Sequence, residues 1–255
     1  GAGGNVAKHG NRSVSGVSGS ADIFEYFGFD LSSKPWIVEE SIEKIGIGFM
    51  FAPTFHPAMK NVAPARKLIG KRTAFNLLGP LCNPAKVRHQ MIGVFADKYI
   101  ERIVRIMQKN FSDTVLAVRS DDGMDELSTT SKNKACLLKN EEITEFIIDP
   151  SKYNMEKGNL SNIQISTKQE AIDAFAKVLN NTSNKTMKEI TILNAAGGLL
   201  VGGICDRFDE GVELALETIN NGNAFKKLKQ FTKENNALDK LEEFEWYGKY
   251  FRKTC

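Results

Sequence analysis

Residues 91–119 read MIGVFADKYIERIVRIMQKNFSDTVLAVR. Residues 91–96 (MIGVFA) form a short apolar run, as a buried strand does. Residues 99–109 then set Ile100, Ile103, Val104 and Met107 at helical spacing, and residues 114–119 (TVLAVR) return to a strand pattern. Strand, helix and strand in that order make a βαβ unit, which calls for a largely parallel sheet with helices packed on it. The expected class is α/β, a large domain whose central, mostly parallel sheet is flanked by helices.

Working outward, residues 134–138 and 143–148 read as two further short strands, compatible with antiparallel pairing. Thr167 and Glu170 have capping-box spacing ahead of Ala171, Phe175, Val178 and Leu179. Residues 190–201, apolar and rich in small side chains, suit a buried helix; 210–220 and 224–234 complete a helical C-terminal part, and 154–162 is a polar loop. Upstream, 20–28 (SADIFEYFG) predicts a short helix with a Ser cap and a Gly stop. Residues 35–45 (PWIVEESIEKI) predict another with Pro in its first turn, and 47–52 (IGFMFA) a buried strand. Pro53, Pro57, Pro64, Pro80 and Pro84 break 53–84 into short helices and turns, an excursion from the main sheet.

A chain of 255 residues can bury a large core, and 42% hydrophobic with 25% charged residues is the balance of a soluble globular protein. The net charge of +3 gives no argument for a nucleic-acid or membrane partner, and no apolar run reaches membrane-spanning length. Cys82, Cys136, Cys205 and Cys255 are widely spaced, without a C-x-x-C pair or a zinc pattern. They read as packing or surface residues, which fits a reducing cytosol and a cytoplasmic location. The chain opens at Gly1, close to a working motif, and an N-terminal truncation is expected.

Three segments could carry chemistry. Lys8-His9-Gly10-Asn11-Arg12-Ser13-Val14-Ser15-Gly16 runs on to Ser20 and into a helix. Cations, hydroxyls and glycines ahead of a helix N-terminus suit a phosphate cradle, and equally a solvent-exposed Ser/Gly turn capped by Ser20. Asp121-Asp122-Gly123-Met124-Asp125-Glu126 follows the strand ending near Arg119. Carboxylates there can hold Mg2+ on a substrate phosphate, or simply form an acidic surface turn. In the Pro-rich excursion, His56, Lys60, Asn61, Arg66 and Arg72 each read singly as solvated, although Arg66 could pair bidentately with a carboxylate. Asn194-Ala195-Ala196-Gly197-Gly198 reads as close helix packing.

Together these stretches resemble the anthranilate phosphoribosyltransferase family. The matching segments are KHGNRSVSGVSGSAD (8–22), FAPTFHPAMKNVAPARKLIGKRTAFNLLGPLCNP (51–84), DGMDELS (122–128) and NAAGGLLVGG (194–203), and their order covers essentially the whole chain. The resemblance implies a large α/β domain over 1–52 and 85–255. It also implies that 53–84 belongs to a small all-helical domain, of which only a remnant is present. Phosphoribosyl pyrophosphate (PRPP) would lie on Lys8, His9, Gly10, Asn11, Arg12, Ser13, Val14, Ser15, Gly16 and Ser20. Anthranilate would meet Asn11, Arg66 and His9, and Mg2+ would sit on Asp125 and Glu126.

The implied reaction transfers the 5-phosphoribosyl group from PRPP to the amine of anthranilate, in tryptophan biosynthesis. Such a parent enzyme would be a homodimer. The family's glycine-rich GTGGD loop and N-x-S-T segment, which stand upstream of KHGN, are not in this sequence. On that ground this stretch alone is expected to be inactive or nearly so. A pyrimidine nucleoside phosphorylase of the same fold fits KHGNRS and Arg66 less well. A nucleic-acid-binding paralogue would need a basic groove and could dispense with Asp125 and Glu126. A purely structural subunit would not need intact motifs.

Overall fold

The computed structural model describes residues 1–13, 16–69, 75–242 and 244, with the side chains of Lys60, Ala63, Arg66, Lys67, Phe75 and Asn76 outside that description. The chain begins with Val6–Gly10 (β1), followed by Ser20–Tyr26 (α1), Pro35–Ile45 (α2) and Ile47–Phe51 (β2). β1 and β2 pair in parallel, with Val6 opposite Ile47 and Gly10 opposite Phe51. The excursion follows as Ala52–Phe55 (α3), a 3-10 turn over Pro57–Asn61, Ala63–Ile69 (α4) and Phe75–Leu81 (α5). Both its ends are tied down: Thr54 Oγ1 donates to the Leu31 carbonyl at 3.0 Å, and Asn83 Nδ2 to the Ala7 carbonyl at 3.2 Å.

His89–Gly93 (β3), Ile100–Lys109 (α6) and Thr114–Ser120 (β4) form the βαβ unit, with β3 and β4 parallel. Asn133–Lys139 (β5) and Glu142–Ile148 (β6) extend this sheet in antiparallel fashion to the order β3-β4-β5-β6. Lys168–Leu179 (α7), Lys185–Val201 (α8), Phe208–Asn220 (α9) and Asn223–Glu234 (α10) follow. The side-chain period of two in β4 explains how helices cover both faces. Val115 and Ala117 pack with Ile100, Ile103, Val104 and Met107 of α6. Leu116 and Val118 pack on the other face with Ile192, Leu193 and Ala196 of α8. All four of these β4 residues are fully buried, each larger one stabilising the fold by about 1.5–3 kcal/mol.

The helix-flanked α/β architecture is the one expected, but its sheet is divided and mixed. Among the described residues β1 bonds only to β2, and β3 only to β4. The two-residue turn at Asn140 and Glu141, both with left-handed φ (52° and 65°), returns β6 antiparallel to β5. The smaller sheet has its own core, in which Phe27, Phe29, Phe49, Ile172 and Phe231 are buried together. The helix expected over 20–28 forms with Gly19, not Ser20, at its cap position. Asp22 reaches back to accept the Gly19 N–H at 2.9 Å, the carboxylate half of a capping box, and no cap side chain bonds the first turn. Cys136 and Cys205 are buried free thiols and Cys82 an exposed one.

Candidate active site

The bare sides of the two sheets line one cleft of about 1560 Å³. Lys8, His9, Gly10 and Asn11 of β1 and its exit line one wall, Gln90–Gly93 of β3 another, and His56 and Gly79 of the excursion a third. The arrangement follows from the elements. β1 runs into the cleft because its pairing to β2 ends at Gly10, leaving Asn11 on open chain. The excursion closes over it because Asn83 grips β1 and Gln90 Nε2 donates to the Pro80 carbonyl at 2.9 Å.

His9 Nδ1 lies 3.3 Å from the Gly79 carbonyl, and because that oxygen can only accept, Nδ1 carries the proton. The His9 Nε2 lone pair then faces His56 Nε2 at 3.2 Å. Burial, the neighbouring His56 and Lys8 hold the His9 imidazole below its usual value, with the Gly79 bond opposing, so the ring is neutral near pH 7.

After Asn11 the chain is gathered by one carboxylate. Asp22, only 8% exposed, accepts from Arg12 Nη1 at 2.8 Å, Lys168 Nζ at 2.9 Å and the Gly19 N–H. Arg12 also forms a two-pronged pair with Glu25, at 2.7 and 2.6 Å. Burial pushes the Asp22 carboxyl up, but these donors outweigh it and hold it below the ordinary aspartate value. Gly19 makes the fold of this loop possible, since a Cβ there would stand 2.6 Å from the Ser13 nitrogen.

The acidic segment lies beyond the C-terminal end of β4, as in other α/β ligand sites. Its first half is structural: Asp122 accepts from Thr130 Oγ1 and, at 3.0 Å, from the Met124 N–H. Burial raises the Asp122 carboxyl, and hydrogen bonds from Thr130, Met124, Ser128 and Ser120 more than reverse this. Asp125 and Glu126 remain exposed. Surrounding protein, then the Asp125 charge, pushes the Glu126 carboxyl above the usual glutamate value, while the Lys8 ammonium pulls it back. The acidic pair and the cationic end of β1 therefore feel each other, although 117 residues separate Lys8 from Asp125 in sequence.

The structure brings Lys8, His9, Gly10 and Asn11 into the cleft and Glu126 within electrostatic reach of Lys8. It turns Arg12 onto Asp22 and Glu25, and Ser13 Oγ onto the Gly16 N–H at 2.7 Å. Ser20 opens α1 without lining the cleft, and Val14, Ser15, Arg72 and the Arg66 side chain lie outside the described residues. Sequence alone reads His56 as solvated and gives Asp22 no role. The signal for each is a contact 47 and 146 residues away in sequence, with His9 and Lys168, which no local pattern reveals. Among the described residues no helix is long and apolar enough to cross a membrane.

The family model of the glycosyl transferase family, a/b domain, matches residues 1–225. An anthranilate phosphoribosyltransferase of Nitrosopumilus maritimus is 54% identical over 242 residues, covering 95% of this chain and 70% of that protein. The crystal structure of the Thermus thermophilus anthranilate phosphoribosyltransferase superposes with a TM-score of 0.84 at 32% identity, covering 92% of this chain and 70% of that one. The Saccharomyces cerevisiae enzyme in complex with PRPP and Mg superposes at 0.77 with 25% identity, covering 91% of this chain and 65% of that one. In sequence along almost its whole length, and in the fold that frames its cleft, the chain belongs to the anthranilate phosphoribosyltransferases, within the glycosyl transferase family.

Proposed function

We propose that this chain carries the cleft that transfers the 5-phosphoribosyl group from PRPP to the amine of anthranilate, releasing pyrophosphate, as a pentosyltransferase of tryptophan biosynthesis. The observation that carries this reading is a cleft lined by Lys8 and Asn11, with an acidic pair near enough that the Lys8 charge acts on Glu126. Lys8, with Asn11 beside it, faces the phosphates. Asp125 and Glu126 offer hard oxygen donors whose mutual repulsion a cation relieves, and Mg2+ needs only one or two carboxylates when phosphates and water complete its shell. When bound, Mg2+ supplies charge neutralisation on the departing pyrophosphate.

The remaining chemistry asks for placement. A bond forms between the arylamine nitrogen and C1 of the ribose, the C1–oxygen bond to pyrophosphate breaks, and the nitrogen loses a proton. A neutral arylamine needs no strong base, so holding it against C1 provides much of the rate. Neutral His9 and Asn11 line the wall available to the aromatic substrate, and Arg66 is assigned to its carboxylate on residue type and motif. Residues 53–84 are assigned to a helical domain that covers this wall, and the protein is assigned as a cytoplasmic homodimer.

Binding is the direct readout of the cleft. Anthranilate fluorescence is expected to respond to the chain, more strongly with PRPP and Mg2+ present. A response to thymidine and phosphate in place of anthranilate and PRPP would overturn the assignment in favour of a nucleoside phosphorylase.

A further inference from the structure

We propose that Lys168 is a positioning residue for PRPP binding: acting through Asp22, it fixes the loop after β1 and aims Arg12 at a substrate phosphate. The inference rests on the proposed PRPP cleft and adds to it a residue from a distant helix. Lys168 stands 146 residues beyond Asp22 and does not line the cleft itself.

The first turn of α7 delivers the lysine. Thr167 Oγ1 accepts the Glu170 N–H at 3.1 Å, and Glu170 Oε2 accepts the Ser166 N–H at 2.7 Å, which fixes the turn that carries Lys168. Behind it, Ile172 and Ala176 are buried in one core with Ala21 of α1. A cation in a first turn opposes the helix dipole, so α7 itself gains nothing from lysine there. The gain lies across the contact with α1, where Lys168 Nζ donates to Asp22 Oδ1 at 2.9 Å.

Asp22 depends on that partner. A carboxylate so far out of water keeps its charge only among bonded donors. Oδ1 accepts from both Lys168 Nζ and Arg12 Nη1, and Oδ2 accepts the Gly19 N–H, so donors from three segments fix the carboxylate plane. Burial pushes this carboxyl up, and the Lys168 bond is the largest pull downward, ahead of Gly19 and Arg12. Glu25, the other acid facing the cluster, is held low chiefly by Arg12 and takes the Nη1 and Nη2 end of its guanidinium. Three of the five arginine N–H groups are then used, and among the described residues Nε–H and the second Nη2–H are left. Those two lie side by side along one edge, the geometry that grips a phosphate through two parallel bonds. Arg12 is partly exposed, and Asn11 beside it lines the cleft. Without Lys168 the Asp22 carboxylate is free to neutralise or turn, and the open edge of Arg12 loses its aim.

Calorimetry of PRPP binding in the presence of Mg2+ tests this on the full chain. Lys168→Met is expected to weaken PRPP binding about five- to tenfold, Lys168→Arg to stay within about twofold of wild type, and both to leave anthranilate binding unchanged. In the Asp22→Asn background, Lys168→Met is expected to add less than about twofold, because the lysine acts through that carboxylate. Compared with wild type at each pH, the acid limb of PRPP affinity is expected to move to higher pH in Lys168→Met, since Asp22 loses the donor that most holds it low. A lysine that only stabilised the fold would not move this limb. A full Lys168→Met effect that persists in Asp22→Asn would overturn the proposal by making Lys168 a direct phosphate contact. So would an unmoved acid limb, or a Lys168→Met chain that binds PRPP as wild type does. A wild-type chain that binds no PRPP would overturn the reading of the cleft, and this inference with it. Lys168 is 63% exposed, so its single variants and the acid limb decide the matter even if Asp22→Asn fails to fold.

Discussion

Leu127 and Asn194 exchange hydrogen bonds: Asn194 Oδ1 accepts the Leu127 N–H at 3.0 Å, and Asn194 Nδ2 donates to the Leu127 carbonyl at 2.7 Å. The residue directly after Glu126 is thereby fixed to α8, and Leu127 itself is fully buried. Replacing Asn194 by Leu leaves a buried donor and acceptor unpaired, which costs about 2–4 kcal/mol in total. Denaturant unfolding should show this loss. Calorimetry should show weaker Mg2+-dependent PRPP binding, because the acidic pair loses its anchor.

Gly93 seats the same loop from the other side. A Cβ at Gly93 would lie 1.6 Å from the Asp125 carbonyl oxygen, a clash with backbone that only a loop shift can relieve. Gly93→Ala should reduce Mg2+-dependent binding by about tenfold or more, roughly 1.4 kcal/mol or above. Gly198→Ala, whose Cβ meets nothing within 4 Å because the residue faces the cleft, should gain about 0.5–1 kcal/mol of stability from helix propensity.

Glu126 carries the pH dependence of the acidic pair. Its carboxyl is raised in the folded chain, so folding takes up protons around it, and the metal-free fold loses stability as pH rises from the ordinary glutamate value through the raised one. Glu126→Gln should therefore be the more stable protein above that window in the absence of metal. The same change should weaken Mg2+ binding at neutral pH. Thermal melts across pH, with and without Mg2+, check both.

Asp22 has the opposite sign. Its carboxyl is held low, so its contribution is complete above the unfolded value of 3.8 and is lost as pH falls through the folded one. Asp22→Asn should cost about 2 kcal/mol at neutral pH and flatten the acid side of the stability curve. By releasing Arg12 and Gly19, it should also weaken PRPP binding more than anthranilate binding.

Phe111 ends α6 in a left-handed conformation, φ 63°, with its N–H on the Gln108 carbonyl and the Ser112 N–H on the Met107 carbonyl. The side chain is 83% exposed and gains little from packing. Glycine at this helix-ending position avoids a Cβ penalty of about 1–2 kcal/mol. Phe111→Gly should raise the unfolding midpoint without changing ligand binding.

The βαβ unit is legible in the sequence because apolar spacing is a local property. Ile100, Ile103, Val104 and Met107 show one face of a helix whatever lies around them. The division of the sheet is not, because β1 and β3 look the same in sequence whether or not a neighbour bonds their outer edges. In the site, Lys8 and Asn11 are found through residue type and motif. Arg12 shows the limit of that approach: a guanidinium suited to phosphate is equally suited to carboxylates, and only the fold brings Asp22 and Glu25 to it. Asp122 and Glu126 look alike in DDGMDE, yet hydrogen bonds from Thr130 and Met124 make the first a structural clamp.

The most direct test of the account is the heat of PRPP binding with and without Mg2+, for the wild-type chain and for Asp125→Asn/Glu126→Gln. Binding that depends on Mg2+ in the wild type and loses that dependence in the variant is the predicted result. Equal PRPP binding with and without Mg2+, or a variant indistinguishable from wild type, would contradict the joint use of Lys8 and the acidic loop as the basis of function.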